Sequence, residues 1–154
     1  MEPFFKDYLD ILQACHTDIL KALDGLPSAA LDWVSGPEMN SISILVFHLT
    51  GAERYWIGDV AAQEPSDRDR DSEFKVHDVG MNAVRKRLDD SLAYSRKTLE
   101  KLTLQDLEAS RTSPRDGRKF TVAWALLHAL EHATLHLGHI QITCQLWMES
   151  KGNI

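Results

Sequence analysis

Residues 129–141 read A-L-E-H-A-T-L-H-L-G-H-I-Q, and the run from His128 to His139 holds four of the chain's seven histidines. On an α-helix each residue turns by about 100° and rises about 1.5 Å. With His132 set at zero, His128 falls at about −40°, His136 at about +40° and His139 at about −20°. The four therefore share an arc of roughly 80° along roughly 16 Å of one helix face. His132 and His136 form an H-x-x-x-H pair, the spacing that brings two imidazoles on adjacent turns to one metal ion. His128 and His132 repeat that spacing, so it leaves two pairs open. Either pair needs a further ligand from elsewhere.

The same stretch carries an apolar width in Val122, Ala125, Leu126, Ala129, Ala133, Leu137, Ile140, Cys144 and Trp147. Thr121 offers an N-cap oxygen. A long helix over about 122–149 follows.

Three more amphipathic helices precede it. Phe5, Tyr8, Leu12, Cys15, Ile19 and Leu23 recur at spacings of three and four, and Asp24-Gly25 with Pro27 ends the run, predicting a helix over about 3–24. Ser28 to Trp33 has room for a short helical turn before Ser35-Gly36-Pro37 breaks the chain. Asn40 or Ser41 caps a second helix over about 41–62, with Ile44, Leu45, His48, Ala52, Tyr55 and Trp56 as its stripe. Glu64 to His77 is charged and almost free of apolar residues, a surface loop of about fourteen residues whose length is open to a mobile or functional role; its mixed charges read as solvated, and no chemistry is assigned to it. Asp78 then caps a third helix to about residue 101, whose inward stripe is Met81, Val84, Leu88, Leu92, Ser95 and Leu99. Thr103 to Ala109 suits a further helical turn, and residues 113–117, S-P-R-D-G, are turn chemistry. There is neither β-type alternation nor an internal repeat. The expected architecture is all-α, a four-helix bundle forming one domain over 1–154.

Composition narrows the partners. An apolar fraction of 44% and a charged fraction of 26% describe a globular protein, and a net charge of −6 argues against nucleic acid, which demands a basic face. Arg85-Lys86-Arg87 is followed at once by Asp89-Asp90 and reads as a solvated helix face. The N-terminus, M-E-P-F-F-K-D-Y, lacks a signal-peptide pattern, and no window reaches a membrane-spanning length, so a cytoplasmic protein without a membrane partner is expected. Cys15 and Cys144 fall within apolar helical patterns, as buried free thiols would.

A bundle core is where facing helices build metal sites. His48 replaces an aliphatic residue mid-stripe on the second helix. A lone histidine there is most often a hydrogen-bonded core residue. If the second and last helices face one core, however, three imidazoles converge. Three neutral nitrogen donors suit zinc, nickel, copper or iron(II), with positions left for water or substrate. Gly138, beside the histidines, permits close approach of a helix or a substrate.

Residues 40–56, N-S-I-S-I-L-V-F-H-L-T-G-A-E-R-Y-W, resemble the second helix of the DNA-damage-inducible, DinB-like proteins, which include YfiT-like bacterial thiol transferases. Residues 124–140, W-A-L-L-H-A-L-E-H-A-T-L-H-L-G-H-I, resemble their final helix. The resemblance implies an up-down-down-up four-helix bundle, often a homodimer. It also implies a divalent metal, zinc or nickel, held by His48, His132 and His136, with a low-molecular-weight thiol as cosubstrate and a small-molecule substrate. The implied activity is metal-dependent thiol S-transfer or related hydrolysis; a non-catalytic metal- or small-molecule-binding stress protein is the alternative. Where many members carry glutamine three residues after the last ligand, this chain has His139, with Gln141 beyond it. Glu53 matches a frequent acidic position, but lies about 140° around the helix from His48, which favours a structural hydrogen bond or a surface carboxylate over ligation.

Overall fold

The computed structural model describes residues 1–152. Its long helices are α1 (Pro3–Ala22), α2 (Ile42–Glu53), α4 (Met81–Leu99) and α5 (Val122–Ser150), and a one-turn helix α3 (Arg70–Glu73) lies between α2 and α4. They form the expected four-helix bundle of up-down-down-up topology. Both α4 and α5 pack against α1 and against α2, so α1 and α2 sit across the bundle from each other. The connection from residue 23 to residue 41 makes that crossing, with a 3-10 turn at Ser28–Ala30.

Each predicted stripe explains its helix. Phe5, Tyr8, Leu12, Cys15, Ile19 and Leu23 are all buried. The Tyr8 hydroxyl donates to the Leu126 carbonyl at 2.9 Å, so the polar tip of a core aromatic is satisfied across α1 and α5. Ser41 caps α2 by accepting from Ile44 N, and Thr121 caps α5 by accepting from Trp124 N. Val84, Leu88, Ser95 and Leu99 carry the inward face of α4.

Four expectations are corrected. The second helix does not run evenly to residue 62: from Arg54 to Ala62 it widens into a π-helix, which Gln63 ends in a left-handed conformation at φ 55°. The wider turn buries Tyr55, Trp56, Ile57, Gly58, Asp59, Val60 and Ala61 together. Asp78 does not cap α4. It takes φ 57° and donates its N–H to Asp32 Oδ2, and Gly80 occupies the cap position without a side-chain bond. Two short antiparallel strands are also present, β1 (Ser110–Thr112) and β2 (Lys119–Thr121), in register Arg111 to Phe120. At three residues each they are too short for alternation to show in the sequence. The fourth correction concerns the charged loop. Glu73 is only 5% exposed, and Asp59 pins the segment by accepting from Ser66 N and Ser66 Oγ.

Among the described residues no helix is long and apolar enough to cross a membrane. Cys15 and Cys144 are buried free thiols.

Candidate metal centre

Placing α2 against α5 brings His48, His132 and His136 together. One ring nitrogen from each lies within 4.8 Å of the other two. The Nε2 atoms of His132 and His136 are 3.2 Å apart, as two imidazoles one turn apart on one face should be. The His48 ring centroid is 5.0 Å from that of His132 and 5.1 Å from that of His136.

His48 is oriented from behind. Its Nδ1 donates to Glu73 Oε2 at 3.0 Å, which orients the ring and leaves Nε2 as the nitrogen to offer to an ion. Arg68 grips the same carboxylate with Nε at 2.6 Å and Nη2 at 2.7 Å. Burial works to raise the Glu73 pKa, but the hydrogen bonds from His48 and Arg68 outweigh it and hold the carboxyl below its ordinary range. Phe74 closes the side of the site, with its ring centroid 4.8 Å from that of His48.

His132 and His136 are held neutral. Burial, reinforced by the neighbouring imidazoles, brings His132 down to about 3 and His136 to about 4. A metal requires this state of its ligands, because only the unprotonated nitrogen has a lone pair to give. Three convergent nitrogens, two of them held neutral and the third backed by a carboxylate, fit a divalent zinc-like ion of the open type.

The other histidines of the face diverge in role. His128 stacks on Trp124 at 4.8 Å and 22° and meets Trp56 edge-on, while its Nδ1 contacts Glu131. It belongs to an aromatic wall with Phe120. His139 is exposed, and its Nδ1 lies 3.4 Å from Nδ1 of His136, so it backs that ring rather than joining the three. A Cβ at Gly138 would meet open space, so among the described residues no other part of the chain approaches there.

Glu53 is not part of the cluster. It is buried, pairs with His16 Nε2 at 2.8 Å and accepts from Ser91 Oγ at 2.6 Å, the structural hydrogen-bonding role its helical angle favours. Sequence reading missed Glu73 and Arg68. A signal was present: a histidine facing a metal needs an acceptor for its second nitrogen, and Glu73 precedes Phe74, a rare apolar residue of that loop.

The fold and the three-histidine cluster define a class: a helical bundle with an open, nitrogen-rich centre between facing helices. Residues 11–140 match the model of the DinB superfamily, and the chain belongs to that family. The fold is shared with a conserved protein from Enterococcus faecalis, at 15% identity and TM-score 0.79, covering 95% of this chain and 98% of that one. It is shared also with YfiT from Bacillus subtilis, at 15% identity and TM-score 0.74, covering 99% of this chain and 90% of that one. YfiT is described as a probable metal-dependent hydrolase with an unusual four-helix bundle topology. No curated protein matches the chain.

Proposed function

We propose that His48, His132 and His136 hold one divalent ion, zinc or nickel, and that the protein is a metal-dependent enzyme transferring a low-molecular-weight thiol to a small electrophile. The observation that carries this reading is the convergence of three ring nitrogens within 4.8 Å, one of them oriented by a buried carboxylate. Such an ion, when bound, lowers the pKa of a thiol or water beside it and so supplies a nucleophile near neutral pH.

The chain's own residues do the rest. Glu73 orients the His48 ring, and Arg68 keeps Glu73 ionised. Phe74 stands beside His48, and the Trp56–His128–Trp124 wall stands beside His132, giving the cluster an aromatic border. Both cysteines are buried and their thiols pushed up in pKa, so neither is a ready nucleophile.

Hydrolysis of an amide or ester is the second reading, favoured by the description of YfiT, whose fold this chain shares. The homodimer is likewise a proposal. Leu127, Leu135 and Ile142 are exposed along the outer face of α5, an apolar line that a second copy would cover, and the mass in solution tests it.

The deciding experiment is metal analysis of the purified protein followed by assay. One divalent ion per chain is expected, with metal-dependent conjugation of a thiol to monochlorobimane. Conjugation with none of a thiol panel but turnover of an ester or amide library selects hydrolysis. Bound metal with neither activity selects the non-catalytic binding module.

A further inference from the structure

A cleft of about 250 Å³ opens between the 65–70 segment and the β1–β2 turn. Its floor is the Tyr55 ring, whose hydroxyl lies 2.6 Å from Ser113 Oγ and so ties the hairpin turn to the π-helix. Arg68 and Arg115 approach that ring from separate elements, with guanidinium carbons 5.8 Å and 5.7 Å from its centroid. Arg70 also lines the cleft and lies over Phe74 at 4.8 Å.

The charge here is unusual for a chain of net charge −6. Arg70 forms no ion pair among the described residues, while Arg115 reaches only Asp116, at 3.9 Å, and that carboxylate is already bonded to Arg118 at 2.8 Å. Two aspartates also line the cleft. Asp59 is committed to Arg54 and Ser66. Asp67 is exposed, as Arg70 and Arg115 are, and the two arginines outnumber it. Arg115, set over Tyr55 beside a tied turn, and Arg70, set over Phe74, line one cleft and are free for a planar or tetrahedral oxyanion, which guanidinium groups bind with paired N–H donors.

We infer that this cleft binds the anionic end of the substrate, a carboxylate or phosphate held between Arg115 over Tyr55 and Arg70 over Phe74. Arg68 joins the cleft to the centre, because it lines the one and grips Glu73, which holds His48. A substrate anchored there extends past Arg68 toward the three histidines. The direction of that extension rests on the proposed metal centre; the binding of the anion does not.

The test uses the protein as purified and the same protein after chelation and dialysis, so that an anion on a metal is told from one in the cleft. Succinate, inorganic phosphate and neutral succinamide are titrated while the Arg70 and Arg115 Nε–H resonances are followed by NMR. Saturable shifts are expected with an anion in both forms, and none with succinamide. Arg115→Gln and Arg70→Gln should each weaken the affinity about tenfold with an unchanged circular dichroism spectrum, while Lys21→Gln leaves it unchanged. The tighter of the two anions assigns the group as carboxylate or phosphate. No saturation with either anion, undiminished binding in Arg115→Gln, or shifts confined to the metal-loaded form overturn the inference. A protein that lacks metal yet binds the anion contradicts the metal centre and leaves the cleft standing.

Discussion

Glu73 Oε2 lies 3.0 Å from His48 Nδ1 across 25 residues of sequence, so a loop carboxylate sets the ring of a candidate metal ligand on α2. Partners of this kind typically change metal affinity by about 10–100-fold when removed. Glu73→Ala is expected to weaken zinc or nickel binding by that factor, measured by competition with a chromogenic chelator. Glu73→Gln, which keeps an acceptor for Nδ1, should lose less. Equal affinity in the wild type and Glu73→Ala would deny the carboxylate any part in setting the site.

Gly51 gives that carboxylate its room. A Cβ there would overlap Glu73 Oε1 and stand 2.7 Å from Glu73 Cδ, and Arg68 Nε would be 3.1 Å away. Gly51→Ala should therefore reproduce the metal-affinity loss of Glu73→Ala although Gly51 touches no histidine ring nitrogen. In the Glu73→Ala background the same change should add little, since the two act through one contact. A double-mutant cycle on chelator competition reads this directly.

Removal of the ion should cost stability as well as activity. A ligand at about 100 times its Kd stabilises the native state by about 2.7 kcal/mol, worth about 5–10 °C in Tm for a domain of this size. Calorimetry with and without chelator should show that difference in the wild type. His132→Ala should show a chelator-independent Tm and hold less than one equivalent of metal.

The bundle was legible because its cause is local. Spacings of three and four place Phe5 to Leu23 on one buried face, and Ser41 and Thr121 bond the first turns of their own helices. Periodicity set His48 and the histidines of α5 toward one core but left His128/His132 open beside His132/His136; the resemblance to the DinB-like proteins singled out the three that converge. Glu73 was not legible, because a carboxylate in a charged loop looks solvated until Gly51 and Arg68 admit it to the interior. Nor was the π-helix at Arg54–Ala62, whose apolar residues fit an α-helical stripe as well. Local bonds that a stripe does not reveal hold its end: Arg54 donates to Asp59 and to the Glu64 carbonyl, and Glu64 N donates to the Gly58 carbonyl.

The two thiols carry a pH signature. Burial, with Glu53 and Asp18 adding, pushes Cys15 up to about 12, and burial pushes Cys144 up to about 11, from 9.0 for an ordinary thiol. A raised folded-state pKa stabilises the fold below the unfolded value, and that contribution is lost as pH rises through the folded value. Stability should therefore fall between pH 9.0 and about 12, less steeply in Cys15→Ser/Cys144→Ser than in the wild type. At about pH 8 neither thiol should react with Ellman's reagent in the native protein, and both should react in ~6 M guanidinium chloride.

Glu53 offers the converse of Glu73, a buried carboxylate whose loss should leave the metal alone. His16 and Glu53 are 3% and 1% exposed, and their pairing at 2.8 Å links α1 to α2 across the bundle, with Ser91 of α4 closing the second oxygen. Breaking a buried pair by removing one partner costs about 3–5 kcal/mol, because the other group is left buried and unpaired. Glu53→Ala should lose stability on that scale in urea denaturation. His16→Leu/Glu53→Met, which removes both polar groups, should recover part of the loss. Folded Glu53→Ala should still bind one divalent ion with wild-type affinity. A folded Glu53→Ala that had lost its metal would move Glu53 from the packing of three helices into the metal centre itself.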